Sequence, residues 1–150
     1  YICNQHDYRV HGSIWSIMGT LRATLKLTSS DVFTTAVDLS TAVTVLADGG
    51  NISRGKTSQV GVHANALVIY KANKKLVNAY VYIKNLASDK EDYVYLYNDT
   101  ANDVVLKLGG GEFAFLPVKE DQTFKAYGTK IDQIVEYATF GLDSSAVNLA

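Results

Sequence analysis

The sequence predicts an all-β chain, a single β-sandwich of jelly-roll type with extended terminal arms. Three observations carry this. Short runs of alternating, β-branched or aromatic residues recur about every 8–12 residues. Turn clusters such as Ser29-Ser30-Asp31, Asp48-Gly49-Gly50-Asn51 and Asn98 to Asp103 separate them. No stretch sustains the 3.6-residue period of an amphipathic helix.

In chain order, Tyr1 to Gly19 reads as an N-terminal arm or a pair of edge strands. Residues 20–141 form the sandwich domain, and 142–150 a tail with little pattern. Thr20 to Thr28 alternates strictly, with Leu21, Ala23, Leu25 and Leu27 on one side, as a half-buried strand does. Val32 to Leu46 is rich in Thr and Val and favours strand, Thr41 to Leu46 most clearly, although a short helix capped by Ser30 or Asp31 fits as well. Ser53 to Ser58 reads as a polar loop, and Val60 to Tyr70 as one or two strands ended by Asn73-Lys74-Lys75. Val77 to Leu86 and Tyr93 to Tyr97 read as a hairpin around the polar loop Ala87 to Asp92. Val104 to Leu108 and Phe113 to Leu116 read as a second hairpin hinged on Gly109-Gly110-Gly111, since three glycines cannot sit cheaply inside a regular element. Pro117 marks its end or a sheet edge. Thr123 to Tyr127, a turn at Gly128-Thr129, and Ile134 to Phe140 complete the series.

Composition narrows the function classes. At 150 residues the chain is one domain by default and long enough to bury a core. Charged residues are 19% and tyrosines number 10, a balance that suits a surface used for protein contacts. A net charge of −1 gives no general attraction to nucleic acid or an anionic membrane. No apolar run approaches the roughly 20 residues of a membrane helix. Cys3 is the only cysteine, which excludes an internal disulfide and argues against a small secreted domain. The chain begins with Tyr1 in place of Met, so an earlier start is expected, and no signal peptide is visible in the residues present.

Tyr80-Val81-Tyr82-Ile83-Lys84-Asn85, Tyr93-Val94-Tyr95-Leu96, Leu108 to Pro117 and Val135-Glu136-Tyr137-Ala138-Thr139-Phe140 together resemble the small β-sandwich structural proteins of tailed bacteriophages. These share strand, Asn turn, strand, Leu-x-x-Gly-Glu-Phe-x-Phe-Leu-Pro, strand and Val-Glu-Tyr-x-x-Phe. The resemblance covers a little under half of the chain, from Val77 to Phe140, and its motifs are architectural. It implies a non-enzymatic virion protein, a capsid cement or decoration protein foremost. Such a protein sits on the capsid surface with the major capsid protein or other virion proteins as partners. It works as a homo-oligomer, a trimer by preference, and needs no cofactor, nucleic acid or membrane. A tail, neck or receptor-binding component, or a carbohydrate-binding module, would share the fold class.

Tyr80 and Tyr82 share one strand face, as do Tyr93, Tyr95 and Tyr97. If their strands pair as a hairpin, a tyrosine-rich surface forms opposite Ala79, Val81, Ile83, Val94 and Leu96. These five tyrosines, with Trp15 in the arm, are the candidate interface residues. A subunit contact, a sugar-stacking platform and ordinary cross-strand packing all fit them.

Other motifs read blandly. Gly50 to Thr57 matches the P-loop letters, yet Val60 to Val68 beyond it alternates as a strand does, where a P-loop needs a helix, so a surface loop is the better reading. Cys3, His6, His11 and His63 lack the tight spacing of a structural zinc site, so no metal is expected. There is no Gly-x-Ser-x-Gly, and Glu91-Asp92 and Glu120-Asp121 fall in turns. Glu112 and Glu136 suit a hydrogen bond to a turn or an ion pair better than catalysis. Asn51-Ile52-Ser53 and Asn98-Asp99-Thr100 fit the glycosylation pattern, a match short enough to arise by chance.

Overall fold

The computed structural model describes residues 19–31, 36–47, 52–59 and 66–143, and there the chain is all β. The strands are β1 (Gly19–Ser29), β2 (Val37–Ala47), β3 (Ser53–Lys56), β4 (Ser58–Gln59), β5 (Leu67–Tyr70), β6 (Leu76–Asn85), β7 (Val94–Asn98), β8 (Asp103–Leu108), β9 (Phe113–Val118), β10 (Phe124–Gly128) and β11 (Ile134–Asp143). Strands β3-β11-β6-β9 make one sheet. The other runs β10-β7-β8, with β5 antiparallel along the outer edge of β10 and β4 bridging the same edge in parallel at Tyr127 and Gly128. With β5 and β4 sharing one position, this is the strand order of a jelly roll, closed by chain crossings between two layers.

The predicted hairpins do not form. β6 pairs with β11 and β9, while β7 pairs with β10 and β8, so the loop 86–93 crosses from one sheet to the other. The glycine-hinged segment does the same, since β8 lies in the second sheet and β9 in the first. Each arch lets both of its strands turn an apolar side inward, across the sandwich. Ala79, Val81 and Ile83 of β6 meet Val94 and Leu96 of β7, Phe124 and Ala126 of β10 and Val135 of β11 in one core, where Val81, Ile83, Val94, Leu96, Ala126 and Val135 are fully buried. Burying a side chain of this kind contributes about 1.5–3 kcal/mol.

The arches are fastened to each other at Asn85. Its side chain is fully buried. Nδ2 donates to the carbonyls of Asp92 (2.6 Å) and Leu108 (3.1 Å), and Oδ1 accepts the Ala87 N–H. Its backbone N–H donates to Glu112 O, and its carbonyl accepts from Gly111. The glycines follow from this closeness. A Cβ on Gly110 would lie 2.1 Å from Asp89 O in the neighbouring arch, and Gly111 has a φ of 81°. Glu112 Oε2 closes the turn by accepting the Gly109 N–H at 2.6 Å.

Three further expectations change. Ser53 to Ser58 is strand β3 and the start of β4, not a loop. It shows no apolar alternation because it is an edge: Arg54 points outward to Glu136, and Gly55 leaves room for Leu67, whose Cδ2 a Cβ there would approach to 2.6 Å. β11 runs on to Asp143, so Leu142, expected in the tail, is a buried strand residue. Thr20 to Thr28 is a strand, but its only hydrogen-bonded partner among the described strands is β2, in an antiparallel ribbon outside both sheets. The helix alternative falls partly on residues 32–35, outside the described residues; β2 starts at Val37.

Candidate interface surface

The register of the ribbon sorts its side chains. Leu21, Ala23, Leu25 and Leu27 share a face with Val45, Val43, Thr41 and Leu39. Arg22, Lys26 and Asp38, the ribbon's charged residues, fall on the other face. An amphipathic ribbon of this kind normally buries its apolar side, yet Leu25 is 46%, Leu27 49%, Leu39 61% and Val43 46% exposed. Leu21 and Val45 at one end of this face, and Ser29 and Val37 at the other, are half-buried, so the exposure is concentrated between them. β2 also touches β11 of the body.

Midway along, the apolar face looks across a groove of about 380 Å³ at β9. Ala23, Leu25 and Val43 form one wall, Phe113 and Phe115 the other. Phe113 is 59% exposed. Phe115 stacks on Tyr80 of β6, ring centroids 5.5 Å apart and 7° from parallel. Beside it the Tyr82 hydroxyl donates to Glu136 Oε1 at 3.1 Å, and Arg54 holds Glu136 Oε2 at 3.1 Å. Burial, then the hydrogen bond to the Glu136 carboxylate, raise the Tyr82 phenol above its ordinary value.

Tyr95 and Tyr97 lie on the outer side of the other sheet. Tyr95 stacks on Tyr127 at 5.3 Å, and Tyr97 meets the same ring at 6.1 Å with a 59° tilt. Burial raises the Tyr127 phenol further from ionisation, and Tyr95 and Tyr97 add to this. The Tyr97 hydroxyl donates to Asn102 Oδ1, and Lys107 Nζ sits 3.6 Å over the Tyr93 ring.

No protein-family model, no curated protein and no solved structure matches this chain.

The sheet topology separates the predicted tyrosines. Tyr80 with Tyr82, and Tyr95 with Tyr97, do share faces, but on opposite sides of the sandwich, because β6 and β7 belong to different sheets. Tyr80, Tyr82, Tyr93 and Tyr95 are half-buried and Tyr97 is buried. Trp15, Cys3, His6, His11 and His63 lie outside the described residues. Arg54, Gly55 and Lys56 of the P-loop letters are extended on a sheet edge, with β11 antiparallel beside them. They line an open depression of about 650 Å³ at one end of the sandwich, near the Lys130–Asp92 ion pair of 2.6 Å. Thr57 and Gln133 are buried close by, with Thr57 Oγ1 and Gln133 Nε2 lacking a hydrogen-bond partner among the described residues. Asn98 is buried and its amide donates to Gln122 Oε1 at 2.7 Å, which makes it a poor glycosylation acceptor. Among the described residues no group of three or more His, Cys, Asp or Glu could hold a metal, and no helix is long and apolar enough to cross a membrane.

The ribbon leucines and Phe113 were absent from the predicted site. Their signal was present in the alternation of Thr20 to Thr28 and the one-sided rings of Phe113 and Phe115. It reads equally well as core packing until the pairing partners are known.

Proposed function

We propose that this protein is a non-enzymatic structural component of a tailed-phage virion, a cement or decoration protein that bridges major capsid subunits as a homo-oligomer. The observation that carries the reading is the ribbon, which leaves Leu25, Leu27, Leu39 and Val43 about half exposed or more. An isolated two-stranded ribbon is marginally stable in water, so a face like this calls for a protein surface to cover it. The jelly-roll body gives a rigid mount, and the resemblance of Val77 to Phe140 to phage sandwich proteins supplies the setting. The mechanism is passive. Contacts made only in the assembled shell stabilise that shell by mass action.

A tail or neck component would use the same surface, and its place in a virion density map separates the two. The carbohydrate-binding alternative gains little, because Tyr80 and Tyr95 each have one ring face covered by another aromatic ring and Tyr97 is buried. The test is light scattering of the purified protein, then incubation with phage shells that lack it. An oligomer that binds shells at fixed stoichiometry supports cement. A protein that leaves shells unoccupied overturns it.

A further inference from the structure

We infer that the apolar face of the β1–β2 ribbon is a contact between copies of this chain, the tip leucines Leu27 and Leu39 of one copy seating in the groove between the ribbon and β9 of another. The inference rests on the proposed homo-oligomer and names the surface that builds it.

Three observations favour a second copy as the occupant. The first is charge. The ten residues of the apolar face, Leu21 to Ser29 and Val37 to Val45 taken alternately, include no ionisable side chain. Identical faces can therefore meet without like-charge repulsion, whereas a charged partner would bury its ions unpaired. The second is shape. Each copy carries both an exposed apolar pair (Leu27, Leu39) and an apolar groove of about 380 Å³ walled by Ala23, Leu25, Val43 and Phe113. One chain thus holds both halves of the joint, as closed rings and exchanged-arm dimers require. The third is area. The exposed parts of the ribbon face and Phe113 amount to roughly 500 Å² per copy, the size of the largest apolar patches on monomers, which are often functional. A reciprocal pair, each copy seating its leucines in the other's groove, would bury about 1,000 Å², the threshold for a specific interface.

The experiment compares the solution mass of the protein with that of Leu27→Glu/Leu39→Glu. Both positions are about half exposed or more in the single chain, so the change spares the core. Thr44→Glu, beside Arg22 on the opposite ribbon face and outside the groove, is the control. The wild type and the control are expected to be oligomeric, and the double variant monomeric with an unchanged circular dichroism spectrum. A second measurement does not depend on how the double variant folds. Chains carrying Leu27→Cys and chains carrying Phe113→Cys, both with Cys3→Ser, are co-expressed and oxidised. A disulfide-linked pair of one chain of each kind is expected on a non-reducing gel. A monomeric wild type, an oligomer that survives the double substitution, or no mixed disulfide each overturns the inference. A monomeric wild type that binds phage shells through Leu27 and Leu39 would overturn the second copy and leave the cement reading standing. An oligomer joined by the ribbon that leaves shells unoccupied would do the reverse.

Discussion

Asn85 binds three backbone groups from two arches and is itself fully buried, so its replacement removes three hydrogen bonds at once. An orphaned buried group costs about 1–3 kcal/mol, and Asn85→Ala is expected to lose on the order of 3 kcal/mol, read as a lower denaturation midpoint at unchanged slope. Thr57 is the converse case. Its hydroxyl is buried without a partner among the described residues, and Thr57→Val keeps the shape while removing the orphan. That variant is expected to gain about 1 kcal/mol in the same measurement. Ionisation gives a third prediction. Tyr70, Tyr82 and Tyr127 are raised above 10.0, burial being the first cause for each. Their folded pKa exceeds the unfolded one, so the stability they hold is complete below pH 10.0 and is lost as pH rises through the raised values. Melting temperature should fall as pH rises above 10, and fall less in Tyr127→Phe. None of these roles was legible residue by residue. Asn85 and Asn98 look alike in sequence, each closing a strand before a polar loop, and only Asn85 holds two arches together.

At the scale of elements, the sequence revealed strands and hid their partners. The faces of Val77 to Leu86 and Tyr93 to Tyr97 follow from alternation alone, and the inward set it named (Ala79, Val81, Ile83, Val94, Leu96) is the core. Pairing is different in kind. A polar loop of seven or eight residues, or a glycine triplet, can close a hairpin or arch over a core at little difference in local energy. The choice is made by distant residues, such as Ala114 and Leu116 fitting beside Ile83 and Val81. β3 was missed because an edge strand that faces Glu136 on one side and Leu67 on the other has no need of apolar alternation. The ribbon is the element least supported by the body. Its amides are expected to exchange with solvent deuterium faster than those of β6, β7 and β10 in dilute solution. Raising the protein concentration should slow exchange in β1 and β2 selectively.

For the whole molecule, six of the seven passages between successive jelly-roll positions cross from one sheet to the other, and only β7 to β8 is a hairpin. Such a chain cannot assemble by local pairing, and refolding should fall in the millisecond-to-second range typical of non-local β folds, measurable by stopped-flow fluorescence. The same topology decides how a load would travel. Between the ribbon and the body stands β3, held to β11 by four residue pairs, whereas β11 is held to β6 by nine. Tension on the arm therefore meets the shorter ladder first. Pulled through its ribbon in a single-molecule trap, the protein should yield in two steps, β3 shearing away before the core opens. An overstretched joint of this design would lengthen and hold, with the sandwich still folded behind it.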